Sequence, residues 1–194
     1  MVLIDGLFSF PQWDTDLFVY LNSNFHPWLD PVMQVLSSHY SWIVLFLIVS
    51  FFMVRRSMFW GGREIMLVLA TVGVNSLLNI LAKMIIQRPR PCQNEEIQAA
   101  IRVLEDCGTN YSFFSAHSSN AFCLAVCTAL FFRNKYYTIA MLVWASAVAY
   151  SRIYVGKHYP LDVVCGIMFG VLISFIGDYM LKHLRENQVR SPIV

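Results

Sequence analysis

Five stretches of this chain approach the roughly 20 mostly apolar residues that a helix needs to cross a bilayer. They run from Met33 to Val54, Glu64 to Ile86, Ser115 to Phe132, Tyr136 to Ile153 and Leu161 to Leu181. The first half of the first stretch is polar for a span. Gly61-Gly62, the Arg133-Asn134-Lys135 turn and Gly156 with Pro160 read as helix breakers between them. Hydrophobic residues make up 57% of the chain and charged ones 13%, against about 45–50% and about 25% in soluble domains. That balance excludes a disordered chain, and a net charge of +2 gives no reason to expect a nucleic-acid partner. The 194 residues suffice for one all-α integral membrane domain, 1–194, of about five transmembrane helices.

Lys and Arg orient the bundle. Arg55, Arg56, Arg63, Arg133 and Lys135 fall in one set of connectors, and the tail adds Lys182, Arg185 and Arg190. That end is expected to face the cytoplasm. The first forty residues contain neither Lys nor Arg and belong outside. No basic residue precedes an apolar run there, so no secretory signal peptide is expected. Residues 1–32 hold Trp13, Phe18, Tyr20, Phe25 and Trp28 among polar residues, which suits short helices lying in the interface.

The remaining ionisable residues gather at the outer ends of the spans. Asn75, Asn79 and Lys83 recur every four residues along the second span, and Gln87 continues the series. Two asparagines read as interhelical hydrogen-bonding groups. An ionisable side chain within a span usually marks a site, although Lys83 also has the length to reach the interface. Pro89 disfavours helix at Arg88, which ends that helix near Gln87 and sets Arg90 just beyond it. At the start of the third span, Ser115, His117, Ser118 and Ser119 coincide with a helix N-terminus, whose free N–H groups favour an anion. Ser115 also suits a plain N-cap. Arg152 ends the fourth span. Pro160 suits the first position of the fifth, which leaves His158 just outside and Asp162 in the first turn. Asp162 reads either as a dipole-complementing carboxylate or as the group that fixes the His158 tautomer.

Taken together, Lys83-x6-Arg90-Pro91, Ser115-x-His117 and Ser151-Arg152-x5-His158-x3-Asp162 resemble the three signatures of the type-2 phosphatidic acid phosphatase superfamily. The second signature departs from the usual Pro-Ser-Gly-His, reading Phe114-Ser115-Ala116-His117. The resemblance implies a lipid phosphatase working without a cofactor or metal. In it His158 attacks phosphorus to form a phosphohistidine and Asp162 supports it. His117 protonates the leaving oxygen and then activates water. Lys83, Arg90, Ser115, Ala116 and Arg152 hold the phosphoryl oxygens. The implied substrate is a membrane lipid phosphate or diphosphate: undecaprenyl diphosphate first, then phosphatidate, phosphatidylglycerol phosphate and lipid A phosphates. The implied site is at the outer face of the cytoplasmic membrane. A lipid phosphotransferase would use the same intermediate. A vanadate-dependent haloperoxidase would use much the same anion pocket. An anion transporter would explain the intramembrane cations without needing His158 beside Asp162.

Residues 87–114 form a long outer-face loop. Asn94 reads as the cap of a short helix carrying Ile97, Ile101 and Leu104 on one face, with Gly108 as its stop. Cys92 and Cys107 bracket it on the oxidising side, where a disulfide is permitted. Cys123, Cys127 and Cys165 read as buried apolar thiols. Gly166 and Gly170 form a GxxxG suited to packing within the bundle.

Overall fold

Every apolar stretch is helical in the computed structural model, which describes residues 9–56 and 58–190. The chain runs through α1 (Gln12–Ser23), α2 (Asp30–Ser37), α3 (His39–Arg56), α4 (Met58–Ile86), α5 (Ala116–Phe132), α6 (Lys135–Tyr154) and α7 (Pro160–Arg190). No strand occurs among the described residues. α4 and α7 are each long and apolar enough to cross a membrane, α2 and α3 qualify only as a bent pair, and α5 is a shorter apolar helix. In hydrocarbon the backbone must satisfy its own hydrogen bonds, which selects helix over any open alternative.

Two expectations fail at the first spans. Met33 to Val54 is not one helix: the chain is extended at Ser38, and α2 meets α3 at 60°. The polar half of that stretch is the reason, because α2 turns onto the C-terminal end of α6 instead of continuing the line of α3. Gly61 and Gly62 do not interrupt α4. A helical glycine costs only about 1 kcal/mol relative to alanine, less than an unsatisfied amide in lipid. The turn between α5 and α6 forms as expected, with Arg133 at φ 50° and the Asn134 side chain accepting from Tyr136 N and Tyr137 N.

α5 is the central helix, packed along α7 with α4 and α6 beside it. The glycines of α7 set that contact. A Cβ at Gly170 would lie 2.1 Å from Ser119 O, and one at Gly166 would lie 2.6 Å from Ser115 O. Val49, Met53, Val68, Leu124, Val148 and Ile173 fill the core. Asn75 and Asn79 do face inward: Asn75 Nδ2 donates to Asn120 Oδ1 and Asn79 Nδ2 to Phe114 O. Gln87 leaves the stripe, exposed and at φ 51° past the end of α4.

α1 lies across the end of α6 and the start of α7. Its buried face is Asp14, Phe18 and Asn22, spaced by four, while Trp13 and Tyr20 remain exposed. The loop after α4 contains 3₁₀ turns at Pro91–Gln93 and Gln98–Ala100 and not the expected α-helix. Ile97 and Ile101 pack on Phe18, and Leu104 packs beside Tyr154 and Val155. The backbone there is satisfied by partners remote in sequence. Asn22 Oδ1 accepts from Arg102 N at 2.7 Å, and Leu104 N donates to Val155 O at 3.2 Å. The apolar spacing thus serves a strap pinned across the bundle. Cys92 and Cys107 are joined in a disulfide with Cα atoms 6.0 Å apart.

Candidate active site

Local folding sets the third cluster first. α6 ends at Tyr154, and Gly156 at φ 86° turns the chain back so that the amides of Lys157 and His158 both donate to Arg152 O. A side chain at Gly156 would meet Arg102 O at 2.7 Å, so the strap and this turn require glycine. Pro160 then starts α7. Asp162 reaches back over the helix start and accepts from Tyr159 N at 3.1 Å, as a first-turn carboxylate can.

The His158–Asp162 pair is less direct than expected. His158 Nδ1 is 3.6 Å from Asp162 Oδ2, beyond hydrogen-bond reach. The Ser112 hydroxyl stands between them, donating to Asp162 Oδ2 and 3.3 Å from His158 Nδ1. The other carboxylate oxygen accepts from Arg88 Nη1 at 2.7 Å. Arg88 Nη2 donates to Asp14 Oδ2 at 2.6 Å, and its guanidinium lies between the rings of Phe10 and Tyr159 at 3.8 and 3.9 Å. Asp14 Oδ1 takes the Leu161 amide at 2.8 Å. Two carboxylates therefore cap the start of α7, and one buried arginine serves both. Ser115 N donates to Asp162 O at 2.9 Å, which ties the start of α5 to the same point.

A cavity of 680 Å³ opens beside this group. Lys83, Arg90, Ala116, His117, Arg152 and His158 all line it. Lys83 Nζ donates to Tyr111 O and Ser112 O, and Arg90 Nε donates to Asn110 O, so the loop backbone aims both cations. Arg152 is 2% exposed; its Nη1 bonds Ser37 Oγ, and its Nε has no partner among the described residues. The His117 ring packs edge-on to Trp42 at 5.7 Å. Ser115 does not line the cavity. It is wholly buried as the N-cap of α5, bonded to Ser118 N and Ser118 Oγ. Burial pushes the His158 pKa down to about 3, with Lys83 and Arg152 adding to the effect and Asp162 opposing it. The imidazole is therefore neutral at physiological pH. With Nδ1 turned to Ser112 and Asp162, Nε2 is the atom left to carry the lone pair.

The arrangement brings cations and two imidazoles from three separate helix ends to a single cavity at one end of the bundle, with the Asp162 carboxylate buried behind His158. The sequence profile of the PAP2 superfamily matches residues 64–185, a stretch that holds all of them. The chain belongs to the PAP2 superfamily. It falls in the membrane lipid phosphatase branch. It is 29% identical over 87% of its length to a lipid A 4'-phosphatase of Porphyromonas gingivalis, covering 72% of that protein. It is 31% identical over 85% of its length to an undecaprenyl-diphosphatase of Sulfolobus acidocaldarius, covering 77% of that protein. Its fold is similar to the crystal structure of a transmembrane PAP2-type phosphatidylglycerolphosphate phosphatase from Bacillus subtilis. That match has TM-score 0.74 and 27% identity, over 89% of this chain and 86% of the other.

Three residues of this buried polar group were not among the candidates read from the sequence: Arg88, Asp14 and Ser112. Asp14 carried a faint signal, since it shares a four-residue spacing with Phe18 and Asn22 on a short helix. Ser112 carried none.

Proposed function

We propose that this enzyme hydrolyses a lipid phosphate through a phosphohistidine on His158, at the outer face of the cytoplasmic membrane. The observation that carries the reading is the neutral, buried imidazole of His158. Its Nδ1 faces Ser112 and Asp162, while the imidazole borders a cavity shared with Lys83, Arg90 and Arg152. His158 Nε2 forms the P–N bond as the P–O bond to the lipid breaks, and His117 gives its proton to the departing oxygen. His117 then takes a proton from water, which attacks phosphorus and releases phosphate, restoring His158. The ring of the phosphohistidine is cationic, and the Asp162 carboxylate stands ready to meet that charge through Ser112. Lys83, Arg90 and Arg152, with the free N–H groups at the start of α5, hold the phosphoryl oxygens. Ser115 acts in this scheme as the cap that fixes those N–H groups.

The Lys and Arg at the opposite end of the bundle favour an outward-facing site under the positive-inside rule. The cavity opens where apolar spanning helices end, which favours a substrate held in the membrane by its own tails. Lipid A phosphates, undecaprenyl diphosphate and phosphatidylglycerol phosphate, named for the relatives, define the panel to test. Phosphate release by the purified protein in detergent with EDTA is the measurement. Activity is expected to persist in chelator, because fixed cations meet the developing charge. His158→Ala is expected to lower turnover about 10⁴-fold or more. Full activity in that variant, or loss of wild-type activity in EDTA, contradicts the scheme.

A further inference from the structure

Next to the phosphoryl cavity lies a second one of 380 Å³, bounded by Ser37, Ser38, Tyr40, Glu105, Arg152 and Lys157, together with His117. The two share His117, Arg152 and Lys157, but His158, Lys83 and Arg90 line only the first. It exists because α2 breaks from α3 at Ser38, and because the disulfide-closed strap brings Glu105 to the outer end of α6.

Glu105 is the unusual member. It sets a carboxylate at the edge of an anion-binding site. Its Oε2 is 2.9 Å from Lys157 Nζ and 3.7 Å from Arg152 Nη1, and its Oε1 accepts from the Ser37 hydroxyl. Burial works against its ionisation, but Lys157, Ser37 and Arg152 together hold its pKa below the usual carboxylate range. Lys157 is thereby neutralised by an ion pair, while the buried Arg152 keeps an unpartnered Nε.

We infer that this second cavity is the leaving-group subsite, and that Glu105 tunes it toward phosphate monoesters, whose leaving group is neutral, and against diphosphates. The inference rests on the reading of His117 as the proton donor. A general acid must stand beside the departing oxygen, on the side of phosphorus away from the nucleophile. His117 borders both cavities and His158 only one, so the departing group lies in the second. For a diphosphate that group is itself a phosphate, which meets the Glu105 charge at close range with Lys157 already paired. For a monoester it is an alcohol, which brings no charge for Glu105 to oppose. Selection by an opposing charge is a common way to reject a near-identical substrate.

The test is kcat/KM for a polyprenyl monophosphate and the polyprenyl diphosphate of the same tail, so that only the leaving group differs. The wild type is expected to prefer the monoester. Glu105→Gln, which keeps the shape and the Ser37 contact, should shift the ratio toward the diphosphate by on the order of tenfold. Glu105→Asp should hold the wild-type ratio. Lys157→Gln should move it the other way, which keeps the question decidable if the Gln variant at 105 does not fold. A wild type that prefers the diphosphate, or a ratio that neither charge change moves, overturns the inference. A fully active His158→Ala defeats the underlying mechanism instead.

Discussion

Both ends of this bundle gather charge, yet the two gatherings differ in kind. At the end opposite the site, Arg56, Glu64, Arg133, Asp178 and Lys182 line a cavity of 460 Å³. There Lys182 pairs with Asp178 one helical turn away, with side chains 53% and 21% exposed. At the end that holds the candidate site, Arg88 is 4% exposed and joins two carboxylates at 0%, each 74 residues distant in sequence. Counting charges does not tell the ends apart. What does is burial, together with partners drawn from separate helices. An exposed pair within one helix gains little, because water competes for both members. A buried network must satisfy every member or lose several kcal/mol, so its parts hold each other in place.

Substitutions can break that contrast. The largest effect on stability is expected from Arg88→Ala, which strands the carboxylates of Asp14 and Asp162 without their common partner. A loss of about 3–5 kcal/mol is expected, read as a fall in melting temperature in detergent. Asp162 would also lose its orientation, so any protein that survives should show reduced turnover. A small effect there would place Arg88 in the same category as the exposed pair at the other end.

pH offers a second probe. The folded-state pKa of His158 is near 3 and its unfolded value is near 6.5, so the unfolded chain binds a proton across that window that the folded chain does not. Stability is therefore complete above pH 6.5 and falls as pH drops through the window, by up to about 1.4 kcal/mol per pH unit. His158→Gln should lose that part of the slope when melting is followed from pH 7 to pH 4. A mutant slope equal to that of the wild type would mean that the imidazole is not shielded as the structure indicates.

Gly170→Ala tests the helix contact that brings the two histidines to one cavity. Its new Cβ collides with the Ser119 carbonyl, a backbone atom, so α5 and α7 must separate. A loss of about 1–3 kcal/mol is expected, with turnover falling more steeply than melting temperature because His117 rides on α5 and Asp162 on α7. The smallest change should come from Lys182→Ala, under about 1 kcal/mol and with unaltered kcat. A large effect there would give the far cavity a functional standing equal to that of the cavity beside His158.

The helices were legible in the sequence because apolar runs of that length have few stable alternatives in lipid. Lys83, Arg90, His117, Arg152, His158 and Asp162 were legible because their spacing survives as spacing at helix ends. The bend at Ser38 was not, since a hydropathy run does not reveal which half turns away from the membrane. The expected helix around Ile97 misled for a related reason: its spacing fits one helix face, but Asn22 and Val155 take up the backbone groups that a helix would have paired internally.

What the sequence alone determined, then, is the all-helical, apolar character of the chain and the set of titratable residues at its helix ends. Both follow from local chemistry: apolar length, proline and glycine at helix ends, titratable residues where lipid does not tolerate them. The tertiary structure decided who holds them. Arg88 between Asp14 and Asp162, Ser112 between Asp162 and His158, and Glu105 between Ser37 and Lys157 are meetings of residues far apart in the chain. Electrostatic coupling depends on distance and burial, and neither quantity is written in the order of residues.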